Sequence, residues 1–164
     1  MGFRELRLLS ISLFTLSLLS LNAQAAGNIQ GKRFQDWGGN CQATDQGRHC
    51  YLEQVLHDGQ QKVMISVIGY IPGQRIPSMA FELPPNIQLA AGFTLNLDER
   101  PITRFKGKCT QQRCTASFQL TPQILQQFQK GQAATVSYLS TPNKRPVSLP
   151  LSLIGITAGL NALK

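Results

Sequence analysis

Residues 92–120 read GFTLNLDERPITRFKGKCTQQRCTASFQL. Phe93, Leu95 and Leu97 alternate with Thr94, Asn96 and Asp98. A period of two puts the apolar set on one face of an extended strand, where a helix would need a period of 3.6. Cys114, Ala116, Phe118 and Leu120 repeat the pattern in Arg113–Leu120. Between these runs Ile102–Lys108 reads as a strand with Phe105 toward the core. Arg104, Lys106 and Lys108 then stand on its opposite face, about 6.7 Å apart. Asp98 and Glu99 fall between two strands, before Arg100-Pro101, and read as a hairpin turn.

The same grammar extends in both directions. In Lys62–Tyr70, Val63, Ile65 and Val67 oppose Met64, Ser66 and Ile68. In Pro146–Leu153, Val147, Leu149, Leu151 and Leu153 oppose Ser148, Pro150 and Ser152. Pro150 has no N–H to give a ladder, so that strand is an edge or is bulged. Arg33–Cys41, His49–Leu56, Ser78–Leu83 and Ala133–Ser140 complete the strand set. Turns rich in Gly, Pro and Asn separate them: Asp58-Gly59, Ile71-Pro72-Gly73, Pro84-Pro85-Asn86, Glu99-Arg100-Pro101 and Thr141-Pro142-Asn143. Strands of this length and spacing predict a two-layer antiparallel sandwich or a barrel. One helix interrupts them, with Thr121 as N-cap, Pro122 in the first position and Gly131 closing it in the left-handed conformation. Ile124, Leu125 and Phe128 share a face, as for a lid over one end. Gly155–Lys164 reads as a short helical tail with Ile156, Leu160 and Leu163 inward, and Gly27–Lys32 as a flexible lead-in.

The chain has 164 residues, 42% of them hydrophobic, and a net charge of +8. That suits one domain and excludes a disordered chain. Residues 1–25 read as a secretory signal peptide. Arg4 and Arg7 precede the uncharged run Leu8–Leu21, and Ala23-Gln24-Ala25 supplies the small-x-small site, with cleavage after Ala25. Leu8–Leu21 is shorter than the roughly 20 apolar residues of a membrane span. No later stretch is long and apolar enough, so the mature protein is expected to have no transmembrane segment. No Cys follows the cleavage site to take a lipid. The expectation is one exported domain over 26–164, in the periplasm, at the outer membrane or outside the cell.

All four cysteines, Cys41, Cys50, Cys109 and Cys114, lie in that domain. Their spacing suggests local bridges 41–50 and 109–114, with cross-pairing open. It does not match zinc-knuckle spacing, and an oxidising compartment works against four free thiolates. No metal and no cofactor is expected. His49 and His57 sit about 27 Å apart along a strand, too far to share an ion. There is no Gly-x-Ser-x-Gly, no phosphate-binding loop and no dinucleotide fingerprint. The expectation is that the protein is not an enzyme.

Arg100, Arg104, Lys106, Lys108 and Arg113 crowd one stretch with no acid after Glu99. Such a row focuses positive potential and suits phosphate or sulfate groups on an anionic cell surface; it also serves as a solvated face that deters edge pairing. Few aromatics and no stacking motif argue against nucleic acid. Trp37, the sole tryptophan, reads as core beside a bridge.

Several segments then combine. Phe34-Gln35-Asp36-Trp37 runs into Cys41, and Cys50-Tyr51-Leu52-Glu53-Gln54 follows. Next come Leu83 through Asp98 with its Pro84-Pro85 turn into Gly92-Phe93-Thr94-Leu95-Asn96-Leu97, then Phe105–Cys109, Cys114-Thr115-Ala116, the Leu125–Gly131 helix end and Leu149–Leu163. In this order they resemble the invasion-associated locus B family of bacterial exported proteins, over roughly residues 33–163. Pro85-Asn86 departs from a commoner Gly-Val pair. The resemblance implies a β-sandwich in the envelope or surroundings of a Gram-negative bacterium, and association with host-cell invasion in some members. It supplies no catalytic residue. The expected fold is thus all-β: a two-layer antiparallel β-sandwich, immunoglobulin-like, with one short helix and two local disulfides. The expected partner is an unknown protein or anionic cell-surface ligand met by Arg104, Lys106 and Lys108. The alternatives are a periplasmic structural or chaperone-like factor using the Val147–Leu153 edge for strand addition, and a hydrolase of unseen residues.

Overall fold

In the computed structural model, which describes residues 28–45 and 47–164, eleven strands lie in two antiparallel sheets. The signal peptide expected over residues 1–25 lies outside the described residues. The strands are β1 (Arg33–Phe34), β2 (Trp37–Thr44), β3 (Gly47–Asp58), β4 (Gln61–Gly69), β5 (Ser78–Leu83), β6 (Phe93–Leu97), β7 (Arg100–Phe105), β8 (Gly107–Cys109), β9 (Cys114–Gln119), β10 (Ala133–Leu139) and β11 (Pro146–Ser152). Helices α1 (Pro122–Lys130) and α2 (Ile156–Ala162) complete the chain. The seven-stranded sheet has the order β1-β2-β3-β4-β5-β9-β8, and the four-stranded sheet β11-β10-β6-β7. The two-layer antiparallel sandwich is therefore the one expected. Within that class, the strand order differs from the immunoglobulin division of strands. Here β1 to β5 run as an uninterrupted meander.

The alternation read from the sequence becomes the core. Trp37, Leu52, Ile68, Met79 and Phe81 of one sheet meet Phe93, Leu95, Val136 and Leu151 of the other, and all are almost fully buried. Each large side chain taken out of water contributes about 1.5–3 kcal/mol, an upper figure because the unfolded chain already hides some surface. Strand β4 turns Met64, Ser66 and Ile68 inward, so Val63, Ile65 and Val67 face outward, half-buried. The serine of this strand is in the core and its aliphatics are on the open face.

The wider sheet overhangs the narrower one, and the helices cover the overhang. Helix α2 packs on β1, β2 and α1. Gly159 lies so close to Leu52 that a Cβ would come 2.5 Å from Leu52 Cδ1. Ile156, Leu160 and Leu163 are buried as expected. In α1, Thr121 Oγ1 accepts the Ile124 N–H at 3.4 Å, and Ile124 and Phe128 face inward. Both disulfides join residues directly opposed across neighbouring strands, Cys41–Cys50 between β2 and β3 and Cys109–Cys114 between β8 and β9. Each closes a short loop, worth about 2–3 kcal/mol on the chain-entropy account.

Four local expectations are corrected. Arg33–Cys41 is two strands, because Gln35, at φ 56°, and Asp36 make a tight turn that pairs Phe34 with Trp37. Residues 28–32 of the expected flexible lead-in are docked. Ile29 is buried, Gly31 N–H donates to Gly39 O, and Gln30 Oε1 accepts the Cys41 N–H at 2.7 Å. Gly131 ends α1 in an extended conformation, φ −86° and ψ 161°, not a left-handed one. A Cβ there would come 2.9 Å from Leu97 Cδ1 and 3.1 Å from Leu153 Cδ1, side-chain tips that would have to give way. Ile102–Lys108 is also two strands, and its division shapes the candidate site.

Candidate functional site

The chain leaves one sheet and enters the other at Lys106. Strand β7 is an edge of the four-stranded sheet and β8 an edge of the seven-stranded one. Phe105 enforces the crossing. It is buried and its ring sits 4.8 Å from Phe118, 5.5 Å from Phe93 and 5.7 Å from Phe81, centroid to centroid. Rings from both sheets thus hold one residue, and its neighbours Arg104 and Lys106 are pushed into solvent.

The in–out alternation survives the crossing, but the direction of each outward side chain changes. Arg104 pairs with Thr94 on the outer face of the four-stranded sheet. Lys108 pairs with Thr115 on the outer face of the seven-stranded sheet. Lys106 belongs to neither strand and stands on the rim between them. The three cations wrap around an edge instead of forming the flat row that a single strand would give. The physical reason is that β8 pairs with β9, to which a disulfide ties it, while β7 stays on β6.

Two shallow depressions flank the rim. One, of 370 Å³, is bordered by Lys106, Lys108, Ala80, Thr115 and Ser117. The other, of 500 Å³, is bordered by Arg104, Lys106 and the turn Leu89–Gly92. Lys106 is common to both. Arg104, Lys106 and Lys108 are exposed, and the one ion pair among the described residues lies elsewhere, Arg113 to Glu82 at 3.0 Å. Arg113 of the basic stretch is therefore committed to a carboxylate, and Arg100 lies at the far end of β7, opposite Leu97.

The second candidate surface, the β11 edge, is largely closed. Gln54 lays its side-chain amide along Ser152 as a neighbouring strand would. Ser152 N–H donates to Gln54 Oε1 at 3.0 Å, and Gln54 Nε2 donates to Ser152 O at 3.2 Å. Trp37 Nε1 donates to the same carbonyl at 3.1 Å, and Ser152 Oγ donates to Asp36 Oδ2 at 2.5 Å. Because antiparallel residues alternate between their two neighbours, Ser152, Pro150, Ser148 and Pro146 all turn their backbone groups to the open side. The two prolines have no N–H and Ser152 has given its own to Gln54. Ser148 is left as the donor along that strand. Trp37 is core as expected, whereas this cluster joins Gln54 and Ser152, which are 98 residues apart and carry no shared sequence signal. The in-phase spacing of Pro146, Pro150 and Ser152 was its one visible sign.

No group of three or more His, Cys, Asp or Glu able to hold a metal occurs among the described residues. No helix among them is long and apolar enough to cross a membrane. What these features define is a disulfide-braced, all-β sandwich with a cationic rim where the chain passes between its layers.

The chain belongs to the invasion-associated locus B family. It matches the family described as "Invasion associated locus B (IalB) protein" over residues 37–164. The crystal structure of invasion associated protein b from Bartonella henselae is similar, with a TM-score of 0.71 and 17% identity over 80% of this chain and 92% of that one. At that identity the likeness is one of fold. No curated protein matches the chain by sequence.

Proposed function

We propose that this chain is an exported, non-enzymatic binding protein of the envelope or the surrounding medium, and that it contributes to attachment to or invasion of host cells. Its contacts with anionic surface groups are made by Arg104, Lys106 and Lys108. The family supports the invasion-associated setting. The observation that carries the binding reading is Lys106: exposed, on a backbone fixed by Phe105, and bordering depressions shared with Lys108 on one side and Arg104 on the other. Strand addition at Val147–Leu153 is disfavoured, since an incoming strand would find Ser148 alone as donor there.

The test is binding to heparin and to lipopolysaccharide-coated surfaces at low and high salt. Reversing all three cations to Glu abolishes binding and leaves the fold intact. Lys106→Glu alone weakens it more than Arg104→Glu or Lys108→Glu. Wild-type binding falls as salt rises toward 1 M, where the screening length drops to about 3 Å. Unchanged binding by the triple variant, or indifference to salt, removes the reading.

A further inference from the structure

We propose that the outer face of the seven-stranded sheet is a docking surface for an anionic lipid layer. This rests on the preceding reading in sharing Lys106 and Lys108, and extends it from a rim to a whole face.

Cross-strand partners share a face, so the ladder registers can be followed from edge to edge. One row runs Arg33, Gly38, Glu53, Val67, Ala80 and Ser117. The next runs Val55, Ile65, Glu82, Thr115 and Lys108. Both rows read alike. Their centre is aliphatic, with Val55, Ile65, Val67 and Ala80 adjacent and half-buried, and Val63 continues it along β4. None of these four branched residues packs on the core, whose inward positions on β4 are Met64, Ser66 and Ile68.

The β8 margin of the face is cationic, and the β1–β2 margin carries charges of both signs. Lys106 and Lys108 border the depression at the β8 edge. Lys32 and Arg33 border a second one, of 430 Å³, at the β1–β2 edge, together with Asp36 and Glu53. Seven strands span about 29 Å. Two carboxylates flank the central strand: Glu82 on β5 is paired with Arg113 at 3.0 Å, and Glu53 on β3, opposite Val67, is the one negative charge left on the face without an ion pair. An apolar middle beside a basic margin is the complement of an anionic lipid surface: acyl chains accept the aliphatics, and phosphate headgroups accept lysines whose stems lie over the apolar ground. A soluble polyanion would use the margins and leave Val55, Ile65 and Val67 without a role.

The experiment is co-sedimentation of the purified, oxidised protein with phosphatidylcholine vesicles, with and without about 30% phosphatidylglycerol, beside heparin binding. The expected result is binding to the anionic vesicles only. Lys106→Glu with Lys108→Glu weakens it by at least about 25-fold, taking about fivefold for each basic residue near a charged surface. Ile65→Thr with Val67→Thr, which keeps β-branching on an open face, also weakens vesicle binding but leaves heparin binding unchanged. Arg145→Glu, before β11 on the other sheet, leaves both unchanged. Heparin binding without vesicle binding overturns the lipid face and leaves the rim reading standing. So does vesicle binding indifferent to the Ile65 and Val67 pair. Loss of neither ligand in the lysine variant overturns both. Circular dichroism of each variant separates a lost surface from a lost fold.

Discussion

Gly107 has no room for a side chain. A Cβ there would sit 2.5 Å from Thr115 O, 2.7 Å from Phe93 Cε2 and 2.9 Å from Ala116 Cβ. The backbone carbonyl cannot swing away without breaking the β8–β9 ladder. Gly107→Ala is therefore expected to lose about 1–3 kcal/mol, as overpacked sites do, and to lower the urea midpoint without changing the slope. A second residue-scale effect comes from Tyr138, on β10. Burial raises its phenol above the ordinary 10.0. In alkali the unfolded chain then loses its proton first, so stability is full below pH 10 and falls as the pH rises through the folded value. Tyr138→Phe should flatten that fall while changing neutral stability little; midpoints at about pH 8 and about pH 11 give the comparison. An equal alkaline fall in both proteins refutes it. At this scale the sequence was legible where a side chain faces one environment, as with Trp37 and Phe105. It was not legible where glycine is required by a neighbour on another strand, as Thr115 O requires it at Gly107.

Among the elements, β11 has the largest consequence for behaviour in solution. Its open side is blunted by Pro146, Pro150 and the Gln54 amide, in keeping with the way edge strands are generally guarded. Gln54→Ala removes two hydrogen bonds to Ser152 and should cost about 1–3 kcal/mol. Adding Pro150→Val restores a backbone donor and should give concentration-dependent association beyond that of the wild type, measurable by light scattering. A double variant as monodisperse as the wild type would show that the edge is guarded by something else. Elements were legible by period: Ser78–Leu83 coincides with β5, and Pro150 correctly marked an edge. What periodicity could not reveal is which layer a strand joins. Arg104 to Lys108 keeps perfect alternation through Lys106, yet Phe105 ends one sheet and Gly107 begins the other. Only the ring cluster, assembled from four segments, decides the change.

For the molecule as a whole, the sandwich was legible because the apolar runs, Lys62–Tyr70 excepted, had a polar counterpart and were bounded by turn residues. The overhang was not. A seven-against-four division exposes the inner side of β1–β3, and α2 exists to cover it, which explains why Ile156, Leu160 and Leu163 read as inward facing without any visible partner. The candidate surface was half legible. Its cations were visible in the sequence, but their wrapping around an edge, and the aliphatic ground behind two of them, follow from layer choice and register.

That same arrangement gives the protein a polarity. Residues 28–32 lie along β2, and α2 rests on β1 and β2, so both ends of the described chain share one flank. Lys106 stands at the opposite flank, six strand spacings or about 29 Å away. A fusion partner, affinity handle or linker joined at Lys164 is therefore held remote from Lys106 and Lys108. Grafted to a bead by that end, the molecule points its β8 edge away from its support.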